Sequence, residues 1–97
     1  MLTAKKIITL IEKNIQVLKK EGVIKIGIFG SFSTGKAVET SDVDIIVKFE
    51  DPNFDHYMNV KFFLQNLLKK KIDLVTEDAL RPQMKYVLKE AQYAKTS

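Results

Sequence analysis

Asp42 and Asp44 stand two residues apart in SDVD, residues 41 to 44, inside a run, DVDIIVKF (42 to 49), that is otherwise rich in β-branched residues. Residues two apart on a strand face the same side, about 6.6 Å apart along it. Aspartate is a poor strand former, and two carboxylates on one face repel unless a cation or a set of donors lies between them. A divalent ion, or two ions roughly 3.5 to 4 Å apart, would relieve that repulsion. Asp73, flanked by Ile72 and Leu74 in KIDLVT (71 to 76), repeats the pattern. If its strand lies beside the first, its carboxylate joins the pair and a three-acid metal cradle results. The plainer alternative is that each acid decorates a solvent-facing sheet surface.

Twelve residues before Asp42, GSFSTG (30 to 35) interrupts an apolar run with two glycines, two serines and a threonine. The backbone N–H groups of such a turn, with the Ser31 hydroxyl, can cradle a phosphate. The competing reading is a turn that needs small residues only for positive φ and close packing. The stretch fits neither the Walker pattern nor G-x-G-x-x-G.

The elements that must position these residues follow from periodicity. Ala4, Ile7, Ile8, Ile11, Ile15 and Leu18 predict an amphipathic helix over residues 3 to 21, with Thr3 as N-cap and Gly22 as its stop. VIKIGIF (23 to 29) reads as the first strand, the glycine-rich stretch as a turn with a short helix, and residues 42 to 49 as the second strand. Val60, Phe63, Leu64, Leu67 and Leu68 mark a helix over 54 to 71, and 71 to 76 read as the third strand. After Arg81-Pro82, Met84, Val87, Leu88 and Ala91 repeat the helical spacing. The order predicts an α/β (α+β) fold: a small, mixed, three-stranded sheet with flanking helices.

Ninety-seven residues with 45% hydrophobic content suit one domain, residues 1–97, and the apolar runs are far shorter than the roughly 20 residues of a membrane span. No signal-peptide pattern opens the chain, and the absence of cysteine agrees with a reducing compartment, so a cytoplasmic protein is expected. With no cysteine and one histidine, His56, any metal chemistry falls to carboxylates and thus to hard cations such as Mg²⁺ or Mn²⁺. Fifteen lysines and one arginine give a net charge of +4, a mild lean toward anionic ligands that a solvated lysine face also explains. His56 reads as a surface residue rather than a catalytic base. Tyr86 and Tyr93, seven apart, are a loose candidate for an interaction stripe on the last helix.

The stretch GSFSTGKAVETSDVDIIV resembles the signature of the DNA polymerase beta-like nucleotidyltransferases, and at this length the chain is most similar to their minimal members, often encoded beside a HEPN-domain partner. The resemblance implies that Gly30 and Ser31 hold a triphosphate. It also implies that Asp42 and Asp44 bind two Mg²⁺ ions, and that Asp73 completes the metal site and helps activate the acceptor. Family members commonly carry an arginine where this chain has Thr34; Lys36 is the candidate replacement, as a point charge in place of a bidentate guanidinium.

The implied activity is transfer of AMP from ATP to a hydroxyl, on a tyrosine of a HEPN toxin, by its antitoxin. The alternative is an antitoxin that neutralises the toxin by contact alone. Direct nucleic-acid binding is not expected, because the alternating aromatic and basic residues of a stacking sheet are missing.

Overall fold

The computed structural model describes residues 1–96. Its first helical stretch is two helices, α1 (Ala4–Lys13) and α2 (Ile15–Lys20), where one helix over 3 to 21 was expected. Asn14 makes the break: its side-chain amide donates to the Leu10 carbonyl at 2.8 Å and its backbone N–H closes a tighter bond to Ile11, so the side chain competes with the helical ladder. Thr3 caps α1 by accepting from the Lys6 N–H at 3.2 Å.

β1 (Val23–Phe29) leads directly into the short helix α3 (Gly30–Thr34). β2 (Val43–Phe49) starts one residue later than expected, leaving Asp42 in the loop. Asn53 caps α4 (Phe54–Leu68), which ends with Lys69 in the left-handed region at φ 56°. β3 (Ile72–Thr76) follows, and then two 3₁₀ turns, Glu77–Ala79 and Pro82–Met84. α5 (Tyr86–Glu90) and β4 (Gln92–Tyr93) close the described chain. The final helix is thus far shorter than its apolar spacing promised.

The sheet is mixed, as expected, but has four strands in the order β3-β2-β1-β4. β2 is antiparallel to β1 and, after the α4 crossover, parallel to β3. The added strand pairs Gln92 and Tyr93 with Ile28 and Gly27. Gly27 permits that approach: a Cβ there would lie 2.6 Å from the Gln92 carbonyl oxygen. Two residues carry too little alternation to be read as a strand.

Alternation along the strands sorts the core into two faces. Ile26, Ile28, Val43, Ile45, Val47, Ile72 and Leu74 pack with Ile7, Ile11 and Leu18 of α1 and α2 and with Val60 and Leu64 of α4. On the other face Phe29 and Ile46 are covered by Leu80 and Val87. Asp44 precedes Ile45 and Asp73 precedes Leu74, so both carboxylates fall on this second face, at the sheet end where β2 and β3 begin.

Candidate active site

The parallel register sets Asp44 opposite Asp73, and the antiparallel register sets Asp44 opposite Phe29, the residue before Gly30. One rung of the sheet therefore carries both strand acids and delivers the chain into the glycine-rich turn. Gly30 has φ +69°, and a Cβ on it would collide with the Asp44 carboxylate, so conformation and space both demand glycine. Ser31 is half-buried beside it; its carbonyl accepts from the Lys36 N–H at 2.8 Å and closes the turn around Gly35.

Burial of the Asp44 carboxyl is the largest cause of a pKa pushed up to about 6; the charge of Asp73, a side-chain hydrogen bond with it, and the charge of Asp42 add to the rise. Asp73 itself is exposed to solvent. Asp42 belongs to the loop rather than the strand, so strand alternation does not orient it as expected; its charge nevertheless reaches Asp44. As the side chains stand, the described residues contain no group of three metal-ligating side chains gathered closely enough to hold an ion. What the site offers is a hard, all-carboxylate donor set with mutual repulsion, a pattern that suits Mg²⁺ better than a softer ion.

Thr34 is exposed but bonded to its own helix. Its hydroxyl donates to the Gly30 carbonyl at 3.2 Å, turning back along its own helix. Lys36, just past Gly35, is exposed. Ser33, the second serine of the turn, ties α3 to the C-terminal segment: its hydroxyl donates to the Glu90 carbonyl at 2.8 Å, and Gln92 donates to its carbonyl at 2.8 Å.

His56 lies away from this rung, beside Phe49 at the far end of β2, with its ring nitrogen 3.0 Å from Glu21. That hydrogen bond is the main reason the Glu21 carboxyl titrates below its ordinary value. Tyr86 and Tyr93 form no common stripe. Tyr86 is exposed on α5, whereas Tyr93 sits on β4 and donates to Glu77 at 3.0 Å.

The family model described as nucleotidyltransferase domain matches residues 10–94. The chain belongs to that family. Among nucleotidyltransferase relatives, the protein adenylyltransferase MntA of Thermococcus cleftensis is 38% identical over 96 residues, which cover 96% of this chain and 97% of that one. A solved structure described as a minimal nucleotidyltransferase superposes with a TM-score of 0.81 at 29% identity, over 94% of this chain and 95% of the other. A toxin–antitoxin structure with AMP-PNP matches with a TM-score of 0.70 at 26% identity, over 99% of this chain and 75% of that chain. The expected enzyme class and the mixed-sheet nucleotidyltransferase fold are thereby met, with one strand more than expected. No helix among the described residues is long and apolar enough to cross a membrane.

Proposed function

We propose that this chain, as one domain over residues 1–97, is the antitoxin of a toxin–antitoxin pair that transfers AMP from ATP to a tyrosine hydroxyl of a HEPN-domain toxin in the cytoplasm. The observation that carries the reading is the rung joining Asp44, Asp73 and the entry to Gly30-Ser31 at one sheet end. The kinship with a protein adenylyltransferase and with a toxin–antitoxin protein seen with AMP-PNP supports the donor and the type of partner.

In this mechanism Gly30 and Ser31 bind the triphosphate, with Lys36 adding positive charge in place of the arginine that Thr34 replaces. Asp42, Asp44 and Asp73 would hold two Mg²⁺ ions, which when bound neutralise phosphate charge and acidify the acceptor hydroxyl. The acceptor oxygen attacks the α-phosphorus, the bond to pyrophosphate breaks, and the hydroxyl proton passes to the exposed Asp73 carboxylate. Asp44, half-buried beneath the turn, keeps the nucleotide and the acids in register.

The test is transfer of α-phosphate-labelled ATP onto a HEPN-domain partner with Mg²⁺. A labelled partner tyrosine that disappears with Asp42→Asn/Asp44→Asn is expected. Neutralisation of the toxin without label, and with the double variant equally effective, would instead establish the contact-only antitoxin, which Thr34 favours because its hydroxyl is bonded back to the Gly30 carbonyl and it carries no charge for a phosphate.

A further inference from the structure

Asp42 is the acid that no strand holds, yet the residues on either side of it are anchored to one segment. The Lys70 ammonium donates to the Ser41 carbonyl at 3.3 Å and to the Glu39 carbonyl at 2.5 Å. On the other side, the Val43 N–H donates to the Lys71 carbonyl at 3.0 Å. Within the loop, Ser41 and Val38 exchange hydrogen bonds, each 2.9 Å, so the staple grips a turn that is already closed. The same ammonium lies 5.8 Å from the centre of the Phe32 ring, in the helix that follows Gly30. Lys70 sits between Lys69, whose left-handed backbone ends α4, and the start of β3 with Asp73. It is partly buried, unlike the solvated lysines on either side of it.

We propose that Lys70 is a positioning residue for Asp42, fixing the loop so that this carboxylate meets the divalent cation beside Asp44 and Asp73; the inference rests on the cation-binding reading of these acids. Its charge gives the proposal a sign. An ammonium close to an acid cluster opposes cation binding by Coulomb repulsion, so removing it should strengthen binding if charge were all that mattered. A staple that orients a ligand acts in the opposite direction, and losing such a support commonly weakens metal affinity by about 10- to 100-fold.

The experiment uses Mn²⁺ as probe, its binding followed by loss of the free-ion electron paramagnetic resonance signal, on wild type, Lys70→Met, Lys70→Arg and Asp42→Asn/Asp44→Asn. Lys70→Met is expected to weaken Mn²⁺ binding by about tenfold or more. In the metal-free protein it should also speed amide exchange at Ser41 and Val43. Lys70→Arg, which keeps donors for both carbonyls, is expected to restore most of the affinity. Mn²⁺ binding by Lys70→Met as tight as wild type, or tighter, overturns the proposal. If Lys70→Met does not fold, Lys70→Gln carries the same expectations. An acid double variant that binds Mn²⁺ like wild type sinks the cation reading itself, whatever the lysine variants do.

Discussion

The Asp44 carboxylate occupies the space that a side chain on Gly30 would need. The glycine of the turn and the acid of the next strand are therefore one constraint: the turn closes over the sheet end only because one residue has no Cβ and the other fills the gap. Since Phe29 pairs with Asp44 across the antiparallel ladder, the contact follows from register and cannot be relaxed by sliding either strand.

Gly30→Ala should consequently do two kinds of damage. Its backbone, at φ +69°, would strain any L-residue by about 1–3 kcal/mol, and the methyl would push Asp44 off its rung. Thermal unfolding should show a melting temperature lower by several degrees, and equilibrium dialysis should show loss of nucleotide binding; an unchanged melting curve would contradict the crowding.

The raised Asp44 pKa makes the metal-free protein pH-sensitive in a definite direction. The folded state keeps the Asp44 proton up to about pH 6, whereas the unfolded chain releases it near 3.8. Its contribution to stability is thus fully present below the lower value and is lost as pH rises through the upper one. Urea unfolding without divalent ions should show Asp44→Asn more stable than wild type at pH 7, with the advantage fading toward pH 4. Partial solvent screening keeps the effect modest. The same substitution is expected to reduce transfer by at least about 100-fold.

Gly27→Ala tests the fourth strand. A methyl there meets the Gln92 carbonyl oxygen and the Tyr93 backbone, so β4 must move away from β1. Overpacking of this kind costs about 1–3 kcal/mol. Amide exchange should quicken at Ala94, whose N–H donates to Ile26, and at Lys36 if the Ser33–Gln92 link also loosens.

His56→Ala is expected to leave the rate of transfer unchanged while lowering stability slightly, because its partners are Glu21 and Phe49 at the opposite end of β2 from Asp44. A tenfold fall in transfer with an unaltered melting temperature would give the ring a role in the chemistry.

β1, β2, β3 and α4 were legible because each is written in local periodicity, alternation for the strands and a three-to-four spacing for the helix, whereas the meeting of Asp44 with Asp73 was conditional on the two strands lying side by side. The glycine-rich turn was legible because its residue types are unusual in an apolar run. Other features left little or no local trace. Asn14 breaks the first helix with a hydrogen bond that the apolar stripe does not reveal. β4 is two residues long and exists because Gly27, 65 residues earlier than Gln92, leaves it room.

By itself the sequence singled out the acids and the glycine-rich turn as candidates for chemistry and outlined β1 to β3 and α4, since side-chain type and local spacing are properties of neighbours along the chain. The tertiary structure alone decided that Asp42 leaves the strand, that Gly30 and Asp44 share one space, and that Lys70, one among fifteen lysines, reaches back to the loop before Asp42. These are contacts between residues tens of positions apart in most cases, set by strand register and by the direction in which α4 returns the chain. Register and crossover direction are properties of the packed sheet, and no short window of sequence contains them.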